Sequence, residues 1–358
     1  MEETTIGEAF NLKSGKQLSK SKMIPGDHPV FGGNGISGYH NQYLFKKPKI
    51  VIGRVGAYCG NVQRSKPFSW ITDNALYIDE KFFEYDDSYL EYLLRSLDLK
   101  QYSSQSGQPL ISQGRINKVK IPLPTLSEQK AIVAKLDRAQ RLIDIDREML
   151  AKYDELIQSV FLEMFGDPVR NEKGWEVKPL KKIAEIDKES FDPTDFNGSV
   201  NYVGLNCIVK ETGKIIDVET ITEGDVKSTK FKFSPNHILY GKLRPYLNKV
   251  AFPDFHGVCS TDILPILPKE GISTRSYIGH LLKSKEFVNY ADKNSSGANL
   301  PRISPTMIKK FEAIHPPFNL QKKFEEILNK VNFEKSKTSQ ALKKSEELFS
   351  SLVQGVFG

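Results

Sequence analysis

The chain contains itself twice. Glu155-Leu-Ile-Gln-Ser-Val-Phe-Leu-Glu-Met-Phe-Gly166 returns as Glu347-Leu-Phe-Ser-Ser-Leu-Val-Gln-Gly-Val-Phe-Gly358, an offset of 192. The same offset joins Gln129 to Gln321, Ile132 to Phe324 and Leu136 to Leu328. Ile121-Pro-Leu-Pro124 matches Ile314-His-Pro-Pro317 with one residue slipped. Upstream, Ile50-Val-Ile-Gly-Arg54 echoes Ile238-Leu-Tyr-Gly-Lys242, and Thr72-Asp73 echoes Thr261-Asp262. Ser106-Gly107-Gln108-Pro109-Leu110 echoes Ser296-Gly297-Ala298-Asn299-Leu300. An ordered set of matches limits the fold to two copies of one unit. The cuts fall at 1–125, 126–166, 167–317 and 318–358, in the order globular, helix, globular, helix.

From Leu126 to Phe165 neither Gly nor Pro occurs. Ser127 followed by Gln129-Lys130 is read as the cap region, and Gly166-Asp167-Pro168 as the stop. Ile132, Leu136, Ala139, Ile143, Asp146, Leu150, Tyr153, Ile157, Val160 and Met164 alternate in steps of four and three. That is a coiled-coil seam. The second copy keeps it with Phe324, Leu328, Val331, Lys335, Thr338, Leu342, Ser345, Phe349, Leu352 and Val356. Two readings follow: each helix packs on its own domain, or the two pair with each other. Pairing is expected to be antiparallel, with Asp146 and Lys335 setting the register.

Charge separates along the same cuts. The chain carries 51 Lys+Arg against 44 Asp+Glu, a net +7. Residues 1–125 hold 16 basic and 12 acidic residues, and residues 167–317 hold 22 and 19. The helices carry 6 against 8 and 7 against 5, so their charges cancel. Two basic globular copies suggest two contacts with one polyanion, and duplex DNA fits. Asn34, Tyr39, Asn41 and Gln42 stand beside Lys46 and Lys47, and Arg54 stands near Tyr58 and Asn61. In the second copy Lys242, Arg244, Tyr246, Asn248 and Lys249 cluster. Such side chains read base edges and hold phosphates. Gln108, Arg115, Lys227, Lys230, Asn299 and Arg302 complete the candidate DNA contacts. The bland reading of all of these is a solvated lysine surface.

Cys59, Cys207 and Cys259 form no C-x-x-C pair, so a reducing, cytoplasmic setting is expected. Residues 1–20 lack the apolar core of a signal peptide, and no apolar run suits a membrane span. Three motifs mimic active sites. Gly33-Asn-Gly-Ile-Ser-Gly38 matches G-x-G-x-x-G but leads into a turn-rich loop. His315-Pro-Pro-Phe318 resembles the Pro-Pro motif of adenine methyltransferases, with His in place of the required acceptor. Asp167, Glu176 and Lys178 string into a nuclease-like pattern of common spacing. No catalytic residue and no metal site are assigned.

Taken together, the motifs resemble a type I restriction-modification specificity subunit over essentially the full length. In the first copy the resemblance rests on Pro29-Val-Phe-Gly-Gly-Asn-Gly-Ile-Ser-Gly-Tyr39, Ile52-Gly-Arg54, Gly60-Asn-Val62 and Thr72-Asp-Asn74. In the second it rests on Tyr202-Val-Gly-Leu205, Leu239-Tyr-Gly-Lys-Leu-Arg-Pro-Tyr-Leu247 and Cys259-Ser-Thr-Asp262. Leu126-Ser-Glu-Gln129 at the first helix also fits, while Phe318-Asn-Leu-Gln321 departs from it.

The resemblance implies a mixed α/β (α+β) tandem repeat. Two target-recognition domains would be separated by an antiparallel coiled coil with pseudo-two-fold symmetry. Each domain would read one half of a bipartite DNA site. Two modification subunits, carrying S-adenosylmethionine, would methylate adenine N6. Two restriction subunits would add ATP- and Mg-dependent translocation and cleavage. This chain would bind none of those cofactors itself. Because the half-sites generally differ, readout is expected from segments that differ between copies, 34–47 and 222–236. Arg54 and Lys242 are expected to position phosphates or brace the fold. Gly53, Gly241, Thr72, Asp73, Thr261 and Asp262 are expected to be structural. The rival classes are a stand-alone methyltransferase or nuclease, and a coiled-coil scaffold that binds no DNA.

Overall fold

The computed structural model describes residues 3–104, 107–168, 170–191, 198–222 and 228–358. The chain divides into two compact units. The first is Met1–Glu148 with Ser339–Gly358, and the second is Met149–Thr338. Each unit therefore takes one globular copy and a stretch of both long helices.

In the first unit, Ile50–Gly53 is a continuous β-branched run buried on both faces. It lies inside a four-stranded antiparallel sheet ordered Phe10–Ser14, Ala75–Lys81, Ile50–Gly53, Val62–Arg64. Helix Asp87–Ser96 buries Tyr89, Leu90, Leu93 and Leu94 in the same core as Ile52 and Leu76. A second sheet holds three strands among the described residues: Gly35–His40, His28–Gly32 and Trp70–Ile71, the last pair parallel.

The second unit repeats the first sheet in the same order: Ala184–Ile186, Ile263–Pro268, Ile238–Gly241, Val250–Ala251. Its second sheet is larger. Among the described residues it has five strands, ordered Ser190–Phe191, Lys230–Phe233, Gly257–Ser260, Ser199–Val203, Glu219–Thr222.

Strand register corrects two of the sequence matches. Gly53 pairs with Ala75, and Gly241 pairs with Ile263, so Asn74 is the equivalent of Asp262. The Thr-Asp identity is thus shifted by one. Ile111 N donates to Arg54 O as Ile303 N does to Lys242 O, so Leu110 corresponds to Arg302. The Ser-Gly match is shifted by two. Ladder hydrogen bonds set these correspondences, and residue identity in the adjoining loops is a weaker constraint.

The long helices are Leu126–Phe165 and Phe318–Phe357. Their seam positions are all covered, none being exposed. Within the first unit they run antiparallel. Arg147 meets Glu346 at 2.7 Å and Ser345 Oγ donates to Asp146 at 3.2 Å, while Ile132 and Val133 share a core with Phe357. Within the second unit Lys335 pairs with Asp154, and Phe161 and Phe165 lie 5.6 and 5.3 Å from Phe324. Ile143, Leu136, Ile157 and Leu328 are buried; Leu150, Val160, Leu342, Phe349 and Leu352 are partly so. The helices thus pair with each other, and Asp146 and Lys335 each find a partner across the seam rather than one another. The first helix opens differently from expectation. Thr125 and Glu128 exchange the bonds of a capping box, because Thr125 lies where the chain turns helical.

The same glutamine joins helix to globular core in each unit, and neither copy is solvent-exposed. Gln129 donates to Pro124 O and Glu84 O at 2.9 and 3.0 Å and accepts from Asp86 N at 2.8 Å. Gln321 donates to Pro316 O and Ile272 O at 2.8 and 3.3 Å and accepts from Thr274 N at 2.9 Å. Asp86 and Thr274 are themselves the caps of helices Asp87–Ser96 and Arg275–Lys283. The carboxyl end of each long helix then packs on the other copy. Phe357 lies 5.5 Å from Tyr89, and Phe165 lies 5.1 Å from Tyr277. This is why the Phe-Gly end is repeated. No helix among the described residues is long and apolar enough to cross a membrane.

Two outcomes follow from this packing. Gln321→Leu leaves two buried backbone groups, Thr274 N and Pro316 O, unpaired at roughly 1–3 kcal/mol each, while Ile272 O keeps His315 Nε2, so urea unfolding will show a loss of at least about 2 kcal/mol. His280 is enclosed by Phe161, Phe252 and Phe324, with centroids 6.2, 5.8 and 5.2 Å away. Removal from water pushes its imidazole down to about 4, against a hydrogen bond to Ser276. The unfolded chain then binds the proton more readily between about 6.5 and 4, so stability falls as pH falls through that window. Urea midpoints measured across that range will fall toward acid in the native chain and fall less in His280→Gln.

Candidate nucleic-acid interface

Strand Ile50–Gly53 delivers Arg54 to one end of the first unit. Gly53 is needed there: a Cβ would lie 2.3 Å from Tyr58 O and 2.7 Å from Gly33 O. The turn Gly33-Asn34 therefore rests against the strand end. It joins strands His28–Gly32 and Gly35–His40, so the G-x-G-x-x-G match is a hairpin with no helix after it. Gly35, at φ +101°, completes the turn. Arg54 N donates to Asn74 O, Gly53 N to Asn61 O and Gly56 N to Pro109 O, at 2.9, 2.7 and 2.9 Å. Asn34, Arg54, Tyr58, Asn61 and Gln108 are thus brought together. All but Arg54 are exposed. Arg54 Nη1 donates to Ser14 Oγ at 3.1 Å, and its Nε is buried without a hydrogen-bond partner.

Tyr39, Asn41, Gln42, Lys46 and Lys47 are exposed but sit beyond the other end of the hairpin. Along Gly35–His40 the separation is about 17 Å, at roughly 3.4 Å per residue. Arg115 is exposed on the short helix Gln113–Ile116.

In the second unit Lys242 occupies the place of Arg54. Its N donates to Asp262 O at 2.9 Å, and Arg244 N donates to Pro301 O at 2.7 Å. Asp262 holds two cations, Arg302 at 3.2 Å and Lys242 at 3.8 Å. The first unit has Asn74 and Leu110 at the positions of Asp262 and Arg302, so this triad is private to the second unit. Arg244, Tyr246 and Asn299 are exposed. Lys249 donates to Leu205 O at 2.7 Å, and Asn248 donates to Lys283 O at 3.0 Å. Burial lowers the Lys249 amine. These two side chains are committed to the fold. Lys230 donates to Ser228 O and Oγ and lies 5.6 Å from the centre of the Tyr202 ring. Lys227 lies outside the described residues.

Other features were not anticipated from the sequence. A groove of about 750 Å³ in the second unit is lined by Asn201, Thr220, Lys232, His237 and His256, among others. The alternation in Ser199–Val203, which puts Ser199 and Asn201 on one face, was the available signal. The motifs that mimic active sites take structural parts. Glu176 and Lys178 pair at 2.8 Å, Lys178 reaches His315 Nδ1 at 3.3 Å, and Pro316 O accepts from Gln321. Among the described residues no cluster of three or more His, Cys, Asp or Glu side chains is placed to hold a metal.

The tandem frame, one four-stranded sheet order repeated with unlike second sheets, is the architecture to set beside known proteins. The type I restriction modification DNA specificity domain matches residues 1–152 and again 172–345. The chain is 23% identical to the EcoDI specificity subunit of Escherichia coli, across 98% of this chain and 86% of that one. It is 32% identical to the EcoprrI specificity subunit of the same organism over 143 residues, 38% of this chain and 35% of that one. Its fold is similar to the crystal structure of a type I restriction-modification S subunit from M. genitalium. That match has a TM-score of 0.63 and 16% identity, covering 100% and 96% of the two chains. A chain from a type I R-M system assembly is similar at a TM-score of 0.59 and 15% identity, covering 99% and 97%. The chain belongs to the type I restriction-modification specificity family, and its function is recognition of DNA sequence.

The Asp262 triad yields a charge test. Asp262→Asn, which copies Asn74, will tighten binding to unrelated duplex about threefold near 0.1 M salt, because it unmasks two cations. Fluorescence anisotropy against the native chain checks this, and weaker binding would mean that Asp262 acts by orienting Arg302.

Proposed function

We propose that this chain is the non-catalytic, DNA-reading subunit of a type I restriction-modification enzyme, reading a bipartite, gapped site. Each globular copy reads one half. Two modification subunits dock on it, one per half, and methylate adenine N6. In the full complex two restriction subunits join them. S-adenosylmethionine, ATP and Mg belong to those partners. Three free, buried cysteines suit a cytoplasmic setting.

One observation carries this reading. The two copies share a four-stranded sheet of identical order but differ in the second sheet, three strands against five among the described residues. A common frame with unlike readers suits a site whose halves differ. Of the divergent segments 34–47 and 222–236, all but 223–227, which lie outside the described residues, fall in that second sheet or its loops. Each long helix has 40 residues, about 60 Å at 1.5 Å per residue. That exceeds the roughly 34–36 Å of one DNA turn. In the first unit the helices leave Leu142, Ile145 and Leu348 in water, and in the second Leu156, Ile327 and Phe333. Such side chains suit docked protein partners.

Methylome sequencing of a host that expresses the chain with its modification subunit tests the proposal. One asymmetric, gapped motif with methyladenine in both halves is expected. Purified chain alone, given duplex and S-adenosylmethionine, should transfer no methyl group. A continuous palindrome, or turnover by the isolated chain that His315→Ala abolishes, would overturn it.

A further inference from the structure

At the far end of the first unit's hairpin, two loops are zipped together. Ser69 and Phe45 exchange backbone bonds of 3.0 Å, Ser65 N donates to Lys49 O at 2.8 Å, and Lys49 N donates to Ser65 Oγ at 2.9 Å. The zip presents Phe68 at φ +53° with 46% of its surface exposed. A bulky residue takes the left-handed region only where its surroundings enforce it, and such strain gathers at functional sites. The ring is braced edge-on by Tyr43 at 5.2 Å, and Tyr43 by His28 at 4.8 Å. It is therefore rigid and wet at once. Lys66 stands two residues before it, and the Phe45–Ser69 bridge brings the Lys46-Lys47 loop alongside, with Phe68 N donating to Lys46 O at 3.4 Å. All three lysines are exposed, and none is paired with a carboxylate among the described residues.

The second unit lacks this device. Val62 and Ile71 correspond to Val250 and Cys259 by strand register. Equal spacing then places Asp254 and His256 where the first unit has Lys66 and Phe68. A feature private to one copy suits readout of one half-site.

A held aromatic edge ringed by unpaired cations matches duplex DNA, which offers phosphates to the lysines and a base step to the ring. Resting on the DNA-recognition reading above, we propose that Phe68 wedges into a base step of the half-site read by the first unit. Lys46, Lys47 and Lys66 take the flanking phosphates. The wedge reads how easily that step unstacks, so it selects sequence without a hydrogen bond to a base.

The test uses the full chain with its modification subunits and duplexes carrying the mapped site, with 2-aminopurine placed at each step of that half in turn. One position should brighten with the native chain and stay dark with Phe68→Ala. The same substitution should weaken binding about tenfold with an unchanged salt slope. Phe68→Tyr should retain both properties, and Lys46→Ala with Lys47→Ala should lower the slope by about 2. Phe68→Ala that matches the native chain in brightening and affinity overturns the wedge. So does Phe68→Ala that loosens the modification subunits while leaving DNA binding intact. Native complex that fails to bind the mapped duplex at all overturns the DNA reading together with the wedge.

Discussion

A buried side-chain amide underlies each half of this molecule. Gln129 and Gln321 stand one turn into a long helix, and each bonds three backbone groups. Two of those groups belong to the segment that opens a globular helix, Glu84 to Asp86 in one copy and Ile272 to Thr274 in the other. The third is the carbonyl just before the long helix itself. The amide therefore fixes the direction in which each long helix leaves its own globular copy. Tyr92 to Asp137 and Ser276 to Glu325, at 2.7 and 2.8 Å, hold the following turns.

That fixed start gives the rest of each helix its work. Each begins on one copy and ends in the core of the other unit, where Phe165 meets Tyr277 and Phe357 meets Tyr89. A cut at the globular boundaries of the sequence would thus divide both cores. The second sheets and the loops at strand ends lie outside this framework. There the copies differ in strand number, three against five among the described residues. Asp262 against Asn74, and Phe68 against His256, are further differences there.

The repeat, the helices and their seam were legible in the sequence because heptad spacing is a local signal that survives drift. Leu136, Ile143 and Leu328 could occupy few other places. Register was less legible, because the pairing of Gly241 with Ile263 is set by partners more than twenty residues away. For the same reason the bonds that Lys249 and Asn248 make within the fold were not legible. Their partners, Leu205 and Lys283, lie 44 and 35 residues distant. The extra strands Ser190–Phe191 and Lys230–Phe233 are only two and four residues long, so even the strict alternation of Lys230-Phe-Lys-Phe233 is too short to announce a strand. Phe68 carries no local sign of its left-handed backbone.

We propose that the paired helices set the gap between the two half-sites. Removing seven residues from the middle of each long helix keeps the face of the seam nearly aligned, since seven residues are close to two turns. It also shortens each helix by about 10 Å, or roughly three base pairs of B-DNA. Methylome sequencing of a host carrying that variant with its modification subunit measures the effect directly. The account predicts the same two half-sites with a gap shortened by about three base pairs. An unchanged gap, or altered half-sites at the original gap, would contradict it.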